Sequence, residues 1–353
     1  MFFKRDWEEI KGIFEEWWDG ALDRPLVQVV YPRKVGTPEI DSWVFLRYYP
    51  DVEEALERLF HQFSRIVFGK EAYPNVWVNL GPGSLAAYLG AEIKFDPKAN
   101  TSWFLGNFSL KELENMEFDP ENEWWGYTCR AYDAAREKCR GRAILGFTDL
   151  LDAVTVTGLL RGNFPTNLLR DMFTDGRRVK RAFERVHSLL FKYYEESCRL
   201  IDVEENGYST WAGLWSEKKH FVLQCDFIVY LSPRMFKEFV FPLILEECKY
   251  FDRTIWHLDG PLELKHLDAL LSIRELDCIQ WVPGEGNPDS GEECWVPLYR
   301  KIQEKGKLLQ ISVPPRKVTG ILSKIEQRGV AIRTTCTSSI EARELIKELE
   351  EKF

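Results

Sequence analysis

Three residues of this chain are of types that do chemistry and sit where strand ends are expected, and a fourth lies further along the chain from one. His257 and Asp259 are two apart in Thr254-Ile-Trp-His257-Leu-Asp259-Gly260, at the end of an apolar, β-prone run. In a strand, that spacing puts both side chains on one face. Cys336 closes a second such run, Gly329-Val-Ala-Ile-Arg-Thr-Thr-Cys336. Imidazole, carboxylate and thiolate converging at one rim would suit a borderline-soft ion such as zinc. Asp226, which follows Cys225, is a carboxylate that can act as acid, base or anchor, or simply as a turn residue.

Each of these has a plainer reading. A lone histidine at a strand end is more often structural, Asp259 can cap the helix that begins near Pro261, and Cys336 can be a small buried hydrophobe. Cys225 and Cys278 are the two cysteines that could supply a fourth ligand, and Gln280 shares a face with Cys278 in an extended run. Trp211, Trp215, Gln280 and Glu285 are expected to bind substrate, the tryptophans as flat apolar walls for a ring-shaped ligand. Of the other histidines, His61, His187 and His266 fall in helical patterns, and His220 is expected in a solvated, charged loop.

The elements that must position these groups alternate. Strands are expected at 26–31, 76–80, 143–150, 208–214, 254–258, 278–282, 308–313 and 330–335. Helical patterns cover 52–68, 131–138, 179–200, 233–250, 262–272, 294–304, 315–327 and 339–352. Ser232-Pro233 reads as an N-cap followed by proline, and Ser338-Ser-Ile-Glu341 as a cap with an acidic first turn. Eight strands with eight helices give an α/β class chain, specifically a (β/α)8 TIM barrel spanning residues 1–353 as a single domain. An extra helix over 1–20 covers the barrel bottom. An insertion over about 84–130, after the second strand, is expected to fold over the active-site rim. No glycine-rich phosphate fingerprint follows the first strand, which argues against a doubly wound dinucleotide-binding sheet.

The 353 residues carry a net charge of −9, so a nucleic-acid backbone is an unfavourable partner. No apolar run approaches the ~20 residues of a membrane helix, and no signal peptide opens the chain, so a cytoplasmic setting is expected. The eight cysteines include no CxxC pair, which argues against a disulfide framework. Association into a homo-oligomer is compatible with the sequence.

Several segments together resemble the uroporphyrinogen decarboxylase superfamily: His257-Leu-Asp259-Gly260, Ile279-Gln280-Trp281-Val282-Pro283-Gly284, the strand ending at Cys336, the helix Leu231-Ser232-Pro233 to Pro242, and Thr157–Gly162. The likeness runs from about Pro25 onward. Gln28–Lys34 stands where the decarboxylases carry an arginine-containing substrate motif, and that motif is missing. The pattern is nearer the cobalamin-dependent methyltransferases, whose zinc motif is His-x-Cys with a distant Cys. Here Asp259 replaces the first Cys. The resemblance implies methyl transfer between a small methylated substrate and a corrinoid or thiol acceptor. Zinc would be held by His257, Asp259 and Cys336, and the corrinoid would be presented by a partner protein. Two alternatives are a metal-independent lyase or decarboxylase of the same fold using Asp226, His257 and Asp259, and a non-catalytic protein binding a tetrapyrrole or other small molecule.

Overall fold

A computed structural model describes residues 1–36 and 38–353. Its strands, in chain order, are β1 (Leu26–Pro32), β2 (Ile66–Lys70), β3 (Asn75–Trp77), β4 (Glu92–Asp96), β5 (Thr101–Leu105), β6 (Ile144–Gly146), β7 (Tyr208–Ser209), β8 (Trp215–Ser216), β9 (His220–Leu223), β10 (Arg253–Asp259), β11 (Cys278–Val282), β12 (Leu308–Ser312) and β13 (Val330–Thr335). Seven of them form one sheet in the order β2-β1-β13-β12-β11-β10-β9. All its pairings are parallel except β1 with β2. β3 and β6 form a separate parallel pair, while β4–β5 and β7–β8 are antiparallel. The chain is thus α/β, with a central, mostly parallel sheet and many helices around it.

The differences from the expected elements have local causes. The helix from Val52 stops at Ser64, and the β-branched run Ile66-Val67 goes into edge strand β2 instead. The helix anticipated over 233–250 is two, Pro233–Phe239 and Phe241–Tyr250, because Pro242 has no N–H to continue the first. Ser232 does cap the first of them, accepting from the Met235 amide at 3.2 Å.

The largest departure is the strand expected over 208–214. Only Tyr208 and Ser209 are extended, and the chain then turns at Thr210–Gly213, with the Gly213 amide donating to Thr210 O at 2.9 Å. Gly213 has φ +71°, a conformation that side chains with a Cβ adopt at a cost. This turn is fixed by side chains from three other strands. Gln28 of β1 donates to Gly213 O, Gln310 of β12 to Ala212 O (both 2.8 Å), and Arg333 of β13 to Ala212 O at 3.0 Å. Ala212 and Leu214 are fully buried. Carbonyls that would otherwise be lost from the ladder are satisfied by inward amides and a guanidinium.

His220, expected in solvent, is a correction: it opens β9 and is fully buried. Its Nδ1 lies 3.0 Å from Arg253 O, and burial pushes its pKa down to about 4, so the ring is neutral. The charged Glu217-Lys-Lys run before it suggested a loop, but Phe221, Val222 and Leu223 pull the histidine into the sheet.

The N-terminal helix Trp7–Trp18 buries Trp7, Ile10, Phe14, Trp17 and Trp18 along one face. They pack on the starts of the strands through Leu26, Ile144, Val222, Ile255 and Cys278. Residues 84–130 contain a helix (Ser84–Tyr88), the β4–β5 hairpin and a helix (Leu110–Glu114). A Cβ on Gly83 would stand 2.7 Å from the Phe104 ring, so the Gly81–Ser84 turn can lie flat under the hairpin only without a side chain there. No helix among the described residues is long and apolar enough to cross a membrane.

Candidate functional site

Register places a polar row across three neighbouring strands: His257 on β10 pairs with Gln280 on β11, which pairs with Gln310 on β12. Their side chains are linked end to end. Gln310 Nε2 donates to the Ala212 carbonyl at 2.8 Å, Gln280 Nε2 to Gln310 Oε1 at 2.8 Å, and Gln280 Oε1 lies 2.5 Å from His257 Nδ1. The direction of this chain is set by its far end, because a backbone carbonyl can only accept. Each amide therefore turns its oxygen toward His257, and Nδ1 must carry the proton. The lone pair of a neutral His257 is left on Nε2. The ring is half-buried and stands edge-to-face on Trp211, with centroids 5.0 Å apart.

Asp226 begins a short 3-10 turn, Asp226–Tyr230, after β9. Burial raises its pKa, the charge of His257 lowers it, and the charge of Asp259 raises it again. These three groups therefore act on one another. Asp259 is exposed at the end of β10, and its amide donates to Glu263 Oε2 at 3.2 Å. Three further carboxyls lie behind Asp226. Asp149 is pushed up to about 8 and Asp152 to about 7, both by burial, and Glu263 to about 9 for the same reason. Asp149 accepts from Gln224 Nε2 at 2.6 Å and from the Leu151 amide at 2.9 Å. Asp152 caps the helix Ala153–Arg161 through Oδ1, while its Oδ2 is buried without a partner. Burial thus shifts this group toward its protonated forms near neutral pH.

On the other side of Trp211 lies a cavity of about 800 Å³, a size suited to a small-molecule ligand. β1, β3 and β13 and the loop after β12 line it, with Trp77, Trp211, Asn75 and Arg333 among the walls.

The remaining expected site residues are dispersed. Trp215 is buried against Trp7 under the sheet, with its Nε1 donating to Asn206 O at 2.9 Å. Glu285 is exposed in the loop after β11. Cys278 is at the start of β11, in the apolar layer against the N-terminal helix, rather than at the end where Gln280 meets His257. Cys225 is buried beside Thr155, Sγ to Oγ1 3.7 Å, with its thiol well above the ordinary range. Cys336 is fully buried, its amide donates to Val30 O, and burial pushes its thiol up to about 12. No group of three or more His, Cys, Asp or Glu that could hold a metal comes together among the described residues. His257, Asp259 and Cys336 as arranged do not fit zinc, which needs a deprotonated thiolate and ligands within about 2.0–2.3 Å of one point.

Gln310, Arg333 and Asn75 were not singled out from the sequence. The available signal was polarity in the wrong place: Gln28, Gln310 and Arg333 each interrupt an otherwise apolar strand run.

No family model matches this chain, and no curated protein sequence does. Among solved structures it is similar to a methyltransferase from Methanosarcina mazei, 13% identical, with a TM-score of 0.62 over 97% of this chain and 98% of that one. At that identity the likeness speaks to the fold.

Proposed function

We propose that the chain is an enzyme of the uroporphyrinogen decarboxylase superfamily, a (β/α)8 barrel with the 84–130 segment inserted over its rim, and that it transfers a methyl group from a small methylated compound. The observation that carries the chemistry is the His257–Gln280–Gln310–Ala212 chain, which presents a fixed Nε2 lone pair in electrostatic range of Asp226, whose pKa burial raises. Full-length similarity in fold to a solved methyltransferase supports the class of reaction. A thiol, or a corrinoid brought by a partner protein, would supply the accepting electron pair.

In the transfer, the acceptor's pair forms the new bond to the methyl carbon as the bond from that carbon to its heteroatom breaks. The departing heteroatom keeps the bonding pair and takes a proton from Asp226. His257 Nε2 hydrogen-bonds the Asp226 proton or returns one from solvent, and Trp211 holds the imidazole from one side. General acid catalysis of this kind contributes roughly 10²–10⁴-fold.

A metal-independent lyase or decarboxylase is the second reading, favoured by the same acid–base pair. The deciding experiment incubates the purified protein with methylated amines, thioethers and aryl methyl ethers, together with a thiol or a reduced corrinoid, and follows the methyl group by mass spectrometry. Methyl transfer that collapses in Asp226→Asn and His257→Ala supports the proposal. Decarboxylated or eliminated products without methyl transfer move the assignment to the lyase.

A further inference from the structure

Arg333 sits in the wall of the large cavity, where water-sized molecules reach it, while protein packed around it pulls its pKa down. A guanidinium does not lose its charge under such conditions. Its Nη1 is engaged by the carbonyls of Ala212 and Trp211, at 3.0 and 3.4 Å. Its Nε and Nη2 hydrogens have no protein acceptor among the described residues, and it makes no ion pair there. The acid on the cavity wall, Asp289, is already paired with Lys317.

The guanidinium is open to the cavity, and no carboxylate among the described residues pairs with it. Gly213 lies against the guanidinium, a Cβ there standing 3.4 Å from Cζ. The charge also has a shaped neighbourhood. Trp77 and Trp211 line the same cavity and offer ring surface.

We propose that this cavity is an anion subsite in which Arg333 takes a carboxylate or phosphate group of a small ligand in a two-pronged contact through Nε and Nη2, with the ligand's apolar part against Trp211. The fork of a guanidinium matches either oxyanion, and such charge-assisted pairs are strong where water is excluded. The subsite does not depend on which reaction takes place at His257, since it rests on the cavity and its unneutralised cation alone.

The test is a binding titration of the full chain with benzoate, phenyl phosphate and the neutral benzyl alcohol, read by tryptophan fluorescence and by the shift of the melting temperature. The expected result is saturable binding of at least one anion, at least tenfold weaker in Arg333→Gln and partly kept in Arg333→Lys, with benzyl alcohol much weaker throughout. Preference for benzoate assigns the subsite to carboxylates, and preference for phenyl phosphate to phosphate esters. Equal affinity in wild type and Arg333→Gln, or no binding of either anion, overturns the proposal. Should Arg333→Gln fail to fold, phenylglyoxal labelling of the wild-type chain decides. Arg333 should react in the free protein and be protected by the bound anion, and labelling that the anions leave unchanged overturns the proposal. Because binding is read without turnover, failure of the methyl-transfer assignment would not register here.

Discussion

Two regions flank Trp211 and handle charge in opposite ways. On the β9–β10 side, Asp149, Asp152, Asp226 and Glu263 gather with no lysine or arginine paired to any of them among the described residues, and burial raises the pKa of each. On the β1–β13 side, Arg333 pairs with no carboxylate among the described residues, and Asp289 on the same cavity wall pairs with Lys317. A structure optimised for stability alone would bring an acid to Arg333 or remove both. Under the proposed reading, keeping them apart leaves one side able to give and take protons and the other able to hold a negative group. The difference teaches that a buried group's environment, more than its type, decides whether it carries charge or protons.

The comparison breaks most sharply at Asp226 and His257. If the acid side does the proton transfer, Asp226→Asn and His257→Ala should each lower turnover by about 10²–10⁴-fold with the fold intact by circular dichroism. Loss of substrate binding with turnover per bound molecule unchanged would place them in recognition instead.

A smaller effect sharpens the role of the glutamine chain. Gln310→Leu removes the group that orients Gln280 and leaves the Ala212 carbonyl without that donor. Activity should fall by roughly 10–100-fold, the scale seen when an outer partner of a working histidine is removed. The ring's NMR signals should shift from a single Nδ1–H tautomer toward a mixture. An unchanged tautomer would mean that the chain does not set it.

The protonated carboxyls also predict a pH dependence of stability. The folded chain holds protons on Asp152, Asp149 and Glu263 up to about pH 7, 8 and 9, whereas carboxyls of an unfolded chain release theirs near pH 4. The stability they confer is full below pH 4 and is lost as pH rises through 7 to 9. The melting temperature should therefore fall between pH 6 and pH 9. Asp149→Asn should flatten that slope, and an identical slope in the variant would remove Asp149 as its source.

The smallest effect is expected at Cys336. A buried thiol without a ligand role should tolerate serine with modest loss of stability, and the metal content of untagged protein should not change. About one zinc per chain, lost in Cys336→Ser, would contradict the arrangement described here and restore the three-ligand reading.

Much of the frame was legible because it rests on periodicity and caps. β11, β13 and the helix Ser339–Lys352 fall where apolar runs and Ser338 put them. His257 and Asp259 were legible as a pair on one strand face, and Asp226 as a carboxylate in a turn; the charges of His257 and Asp259 both act on Asp226. What could not be read depends on distant partners. The turn at Thr210–Gly213 looks like a strand until Gln28, Gln310 and Arg333 are placed against it, and His220 looks solvated until Arg253 lies beside it. Cys336 illustrates the converse, for sequence position put it at a rim while packing closed it off.

The same turn constrains the order in which the chain can mature during synthesis. Ala212 leaves the ribosome 98 residues before Gln310 and 121 before Arg333. At 5–20 residues per second, its carbonyl waits on the order of 5–20 s for its partners. The first two-thirds of the nascent chain can pack its helices, but the cavity beside Trp211 is not closed until the last strands arrive. A ribosome-bound fragment ending before β12 should thus remain open to proteases at the 210–214 turn, and completion of the chain should seal it.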